Sequence, residues 1–112
     1  MGIVIRLGGF VGTALLATAI GAEAQALNEG AAVFAAQKCS MCHALDGKGN
    51  AKGALDGIGA KLKADEIRQW MLTPVEMAAK AQAARKPAMK AFANLPKEDL
   101  DALVAFLAAK KK

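Results

Sequence analysis

Apolar residues recur at helical spacing in the second half of the chain. Ile67, Trp70 and Met71 stand at positions i, i+3 and i+4, so they share one face of a helix predicted from about Ala64 to Leu72. Pro74 follows this segment and either ends the helix or begins the next one. The pattern therefore predicts a helix with one face turned toward a core.

A second apolar stripe predicts the last helix, which begins near Pro96. Glu98 and Asp99 fall in its first turn, where acidic side chains suit the helix dipole. The stripe repeats at helical spacing and consists of Leu100, Leu103, Val104 and Leu107. This spacing indicates a helix that packs against the rest of the domain.

Two further helices are predicted from composition more than from periodicity. Alanine fills 27 of the 112 positions, which favours helix but adds little bulky core. One helix is predicted from about Asn28, a plausible N-cap, through Lys38 into the segment 39–43, and another from about Val75 to Arg85. Between the first two helices, residues 44–62 form a glycine-rich loop whose apolar members are Leu55, Ile58 and Leu62. No strand pattern is evident.

The N-terminus resembles an export signal. Arg6 precedes an apolar stretch, and small residues then offer cleavage after Ala24 or Ala26. We therefore predict a signal peptide over residues 1–24 and one domain over residues 25–112, with an uncleaved anchor as the alternative. The apolar run is shorter than the roughly 20 residues of a membrane-spanning helix, so no span is expected after cleavage.

The net charge of the chain is +5, but it does not indicate nucleic-acid binding. No basic stripe alternates with aromatic residues, and the only tryptophan lies in an apolar helical pattern. We expect no nucleic-acid partner.

The pentapeptide Cys39-Ser40-Met41-Cys42-His43 contains both cysteines and the only histidine of the chain. C-x-x-C-H is the pattern of covalent haem attachment, in which each thiol adds across a vinyl group and the histidine binds the iron. A thioredoxin-like pair would need a βαβ context. A zinc site needs four ligands, usually from two separated pairs, and the chain has no second C-x-x-C or H-x-x-H. The motif therefore predicts one covalently attached haem c.

A haem with one histidine needs a second strong ligand, and methionine is the available type. Met41 lies inside the attachment turn, and Met71 lies on the apolar face of a predicted helix. Met89 follows Pro87 in a non-helical stretch that is free to cross the haem face. Met77, near a helix start, is the alternative.

The chain resembles the class I c-type cytochromes over roughly residues 28–109. The resemblance rests on C-S-M-C-H, on Gly30 and Phe34 ahead of it, and on the segments 55–59, 67–74 and 86–92. It implies an all-α cytochrome c fold, with about four helices wrapped around one haem.

The resemblance also implies a role for particular residues. Cys39 and Cys42 would hold the haem, while His43 and Met89 would be the axial ligands. Phe34 and Gly30 would pack against Phe106 where the first and last helices cross. Gly53 stands where the family usually has proline, and its carbonyl would accept a hydrogen bond from the ligand imidazole.

The expected protein is a periplasmic, monomeric electron carrier and not an enzyme, because both axial positions of the iron are filled. Its partners would be redox proteins with acidic docking surfaces. The cations expected around the haem edge are Lys38, Lys48, Lys52, Lys86 and Lys90. The alternatives are a dedicated haem subunit or acceptor of a periplasmic dehydrogenase or oxidase, and a gas- or peroxide-reactive protein with an open iron site.

Overall fold

The computed structural model describes residues 20–112 and, before them, Gly2, Gly8, Gly9 and Gly12. Most of the predicted signal peptide therefore lies outside the described residues. Within the described part of the chain, no helix is both long enough and apolar enough to cross a membrane.

Helices dominate the described residues, as the all-α prediction requires. They are α1 (Ile20–Ala36), α2 (Ile58–Lys61), α3 (Ala64–Leu72), α4 (Pro74–Lys80) and α5 (Lys97–Ala108). Strands β1 (Ala44–Leu45) and β2 (Lys48–Gly49) form a small antiparallel hairpin, in which Ala44 faces Gly49 and Leu45 faces Lys48. Single turns of 3₁₀ helix cover Cys39–Met41 and Ala51–Gly53.

The predicted helix bounds hold for α3 and α5 but not for α1 and α4. The predicted start of α1 at Asn28 is wrong, because the helix begins at Ile20 and Asn28 lies inside it. The alternating alanines upstream explain this, since alanine has the highest helix propensity. Helix α4 ends at Lys80 and not near Arg85, because Gln82 adopts a left-handed conformation with φ +54°.

The first and last helices cross at a glycine. A β-carbon on Gly30 would collide with the carbonyl oxygen of Ala102 and with Phe106 Cβ. Beside this contact the rings of Phe34 and Phe106 pack edge to face, with centroids 5.9 Å apart and planes at 61°. The packing expected from the family resemblance is therefore present.

Helix α5 forms one side of the hydrophobic core. Its Leu103 is fully buried, and Ile67 and Met71 of α3 are buried in the same cluster. The stripe predicted on α5 therefore faces the core, as do Ile67 and Met71 of α3. Trp70, the third member of the α3 stripe, is half-buried and lies outside this cluster. The segments from Lys38 to Leu62 and from Ala81 to Phe92 enclose the space beside helices α1, α3 and α5.

The C-terminal lysines have structural contacts as well as charge. The backbone N–H of Gly59 donates to the carbonyl oxygen of Lys110 at 2.8 Å, and Lys111 Nζ donates to the carbonyl oxygen of Gly59 at 2.9 Å. Lys110 Nζ also pairs with Asp46 at 3.0 Å. These contacts attach the C-terminal residues to α2 and to the turn between β1 and β2.

Candidate haem site

The attachment pentapeptide folds as a tight turn. The backbone N–H groups of Cys42 and His43 both donate to the carbonyl oxygen of Cys39, at 3.1 and 2.9 Å. Lys38 begins the turn in a left-handed conformation with φ +57°. This turn brings the two cysteines and the histidine close together, as the spacing C-x-x-C-H predicts.

Asn50, a residue that the sequence analysis missed, holds this turn from outside. Its backbone N–H lies 3.1 Å from the carbonyl oxygen of Ser40 and 3.2 Å from that of His43. Its side-chain Nδ2 donates to the carbonyl oxygen of Met41 at 3.2 Å. The carbonyl oxygens of three pentapeptide residues therefore accept hydrogen bonds from one asparagine.

The sequence around Asn50 indicates only a local turn. Its Oδ1 accepts a hydrogen bond from the backbone N–H of Lys52 at 3.0 Å, which is the turn chemistry that asparagine favours. That signal predicts a turn at this position, but it does not predict contact with the attachment pentapeptide.

His43 is oriented by the hydrogen bond that the resemblance implied. Its Nδ1 lies 2.9 Å from the carbonyl oxygen of Gly53. A carbonyl can only accept, so Nδ1 carries the proton and Nε2 is left as the nitrogen able to bind a metal. Glycine thus supplies the acceptor that proline supplies in the family pattern.

Two cavities meet at the pentapeptide, with volumes of about 560 and 750 Å³. Both fall within the ~300–1,000 Å³ that ligand pockets usually have. Four side chains line both cavities and so lie between them: Cys39, His43, Trp70 and Met89. The first cavity is also lined by the three apolar loop residues predicted to face the cofactor, Leu55, Ile58 and Leu62.

The candidate methionines occupy different places around this space. Met89 is half-buried and lines both cavities, whereas Met77 lines only the first. Met71 is buried in the core cluster, and Met41 is 69% exposed. The segment that carries Met89 is irregular and is attached to the end of α3, because the backbone N–H of Phe92 donates to the carbonyl oxygen of Met71 at 2.8 Å.

The two thiols are free and differ in exposure. Cys42 is exposed, and Cys39 is half-buried beside both cavities. Burial raises the pKa of the Cys39 thiol, against a smaller opposing effect of its own backbone hydrogen bond and of the Lys90 ammonium. A raised pKa keeps a thiol protonated at neutral pH.

A family model described as Cytochrome c matches residues 27–111. The chain belongs to the cytochrome c family. No curated protein and no solved structure matches it. The match shows that this cytochrome c is a haem-based electron-transfer protein with one covalently bound haem c, and that its partners are redox proteins.

The residues at the site fit a haem c. The pentapeptide carries two unbridged thiols, its imidazole has a free Nε2, and a thioether lines the same cavities. Bound haem supplies an iron that alternates between the ferric and ferrous states by one electron. The described residues would supply the attachment groups, the oriented imidazole and the apolar walls around the haem.

Proposed function

We propose that this cytochrome c shuttles single electrons between redox proteins in the periplasm. In this proposal Cys39 and Cys42 hold the haem, and His43 and Met89 bind the iron. One observation carries it: His43 and Met89 line the same two cavities as Cys39, and His43 already directs its Nδ1 to Gly53. The histidine nitrogen that remains is the one that binds iron.

Each residue has a distinct task in this proposal. The carbonyl of Gly53 fixes the tautomer and ring orientation of His43, as the outer partner of a metal-bound histidine generally does. The thioether of Met89 raises the reduction potential relative to a second histidine. With His43 and Met89 both bound to it, the iron would have no open site for a substrate, which suits an electron carrier and not an enzyme.

The attachment chemistry supports the proposed periplasmic location. Haem is attached covalently outside the bacterial cytoplasm, and residues 1–24 have the pattern of a signal peptide with cleavage after Ala24 or Ala26. Helix α1 includes both of these possible cleavage positions. The contacts of α1 with α5 at Gly30 and Phe34 lie after both cleavage positions, so the domain 25–112 keeps the helix crossing. We also propose that this domain is a monomer.

Substitution of the two methionines tests the proposed ligand. Met89→Ala should abolish the weak sulfur-to-iron charge-transfer band of the oxidised holoprotein, lower the reduction potential and open the iron to carbon monoxide. Met77→Ala, the matched control in the same cavity, should keep the band, with a packing loss of about 2 kcal/mol or less at this half-buried site. Loss of the band in Met77→Ala and its survival in Met89→Ala would assign the ligand to Met77.

A further inference from the structure

Arg85 fills the side-chain position that Gly53 lacks. A β-carbon on Gly53 would collide with Arg85 Nη1 and with the carbonyl oxygen of Cys42, and it would lie 2.9 Å from Arg85 Cζ. The guanidinium therefore packs directly against Gly53, on the residue whose carbonyl orients His43. The chain reaches this point because α4 ends at Lys80 and the segment after it passes back over the attachment turn.

Among the described residues from 20 to 112, no carboxylate forms an ion pair with Arg85. The ion pairs in this part of the chain involve Arg68, Lys97 and Lys110. Arg85 lines the second cavity together with Cys42 and His43. The guanidinium carries a positive charge, and it lies against Gly53, whose carbonyl accepts the hydrogen bond from the histidine.

We propose that Arg85 is a positioning residue for the axial histidine. Its guanidinium shields the His43 Nδ1–H···O=C Gly53 hydrogen bond from water, and its charge raises the reduction potential of the haem. This inference rests on the proposed role of His43 as an iron ligand. It also explains why residue 53 can be glycine. The Arg85 side chain covers the hydrogen bond that a side chain of residue 53 would otherwise cover.

Both effects have a simple physical basis. Oxidation adds one positive charge at the iron, so a fixed cation nearby disfavours the ferric state, with an effect moderated by solvent because Arg85 is exposed. A covered hydrogen bond exchanges its proton with water more slowly than an open one, because exchange requires solvent to reach the donor.

The test compares Arg85→Gln with Lys86→Gln in the holoprotein. Lys86 is the next residue, lines the same cavity and loses the same charge, so it is a matched control. Arg85→Gln should lower the midpoint potential more than Lys86→Gln does. It should also speed exchange of the His43 Nδ1 proton several-fold, as measured by NMR of the reduced protein.

A third variant separates charge from cover. Arg85→Lys keeps the charge without the planar guanidinium, so it should retain most of the potential and lose the slow proton exchange. Equal potentials in Arg85→Gln and Lys86→Gln, with exchange unchanged from the wild type, would overturn the inference. If the wild-type His43 resonances show no displacement by the haem ring current, His43 is not the ligand, and the proposed function itself fails.

Discussion

At the scale of single residues, the site depends on residues outside the motif that identifies it. C-x-x-C-H predicts the attachment groups and the histidine, and the family resemblance adds the Gly53 carbonyl, which the structure confirms at 2.9 Å from His43 Nδ1. Asn50 and Arg85 could not be predicted in this way. Their contacts depend on how two irregular segments fold back onto the pentapeptide, and such segments have no periodicity in sequence.

Asn50→Ala should weaken the folded holoprotein. The substitution removes the side-chain bonds to Met41 and Lys52, each worth about 0.5–1.5 kcal/mol net, so a loss of about 1–2 kcal/mol is expected at this half-buried position. Denaturant unfolding monitored at the haem absorbance measures it. Asn28→Ala on the exposed face of α1 is the control and should leave stability unchanged or slightly raised.

Similar losses in the two asparagine variants would contradict this role for Asn50. They would show that its hydrogen bonds to the pentapeptide add no more to stability than an exposed helical asparagine does.

At the scale of secondary structure, strongly periodic segments were predictable and irregular ones were not. Helix α3 runs from Ala64 to Leu72, as its apolar face predicts, and α5 has the predicted core stripe. The hairpin of β1 and β2 escaped prediction because strands of two residues are too short to show alternation. The start of α1 was misplaced because a local N-cap signal at Asn28 competes with a long alanine-rich run.

An ion pair between α3 and α5 gives their packing a pH dependence. Lys97 and Arg68 each bond the Asp101 carboxylate at 2.8 Å, and these hydrogen bonds, that of Lys97 first, hold the pKa of Asp101 below its ordinary value of 3.8. A depressed folded-state pKa means stability that is present above pH 3.8 and is lost as the pH falls through the lower folded-state value.

Asp101→Asn should therefore destabilise the protein slightly at neutral pH, by a small amount because the pair is exposed. The difference from the wild type should shrink as the pH falls below 3.8, as followed by thermal unfolding across that range. Asp99→Asn, two positions away and without an ion pair in residues 20–112, should show a smaller difference at neutral pH. A wild-type advantage that persists undiminished at the lowest pH would contradict this account.

At the scale of the whole molecule, positive charge gathers beside the second cavity. Of the five lysines predicted to surround the haem edge, three line that cavity, and Arg85 joins them: Lys38, Lys86 and Lys90. Lys48 lies on β2 and Lys52 in the 3₁₀ turn after it, and they line neither cavity. Exposed Met41 and Val75 border the same opening. We propose this basic, partly apolar rim as the docking face for an acidic redox protein.

Docking through this rim should depend on salt. Neutralising Lys86 and Lys90 to glutamine should slow association with an acidic redox protein a few-fold at low ionic strength, and the effect should fade as the Debye length shortens to about 8 Å at 0.15 M. Stopped-flow electron transfer measures the rate. Lys63 and Lys97 are the control pair, because neither lines a cavity. Equal slowing by both pairs would argue against the rim.

The position of Trp70 makes its fluorescence a probe of haem binding and of unfolding. It is the only tryptophan, and its indole lies between the two cavities with Cys39, His43 and Met89. A haem held there would accept excitation energy from the indole, so the folded holoprotein should emit little fluorescence. Emission should rise when the chain unfolds and the indole moves away, and it should be bright in any chain that never received its cofactor. Cofactor loading and unfolding can thus be followed without an added label.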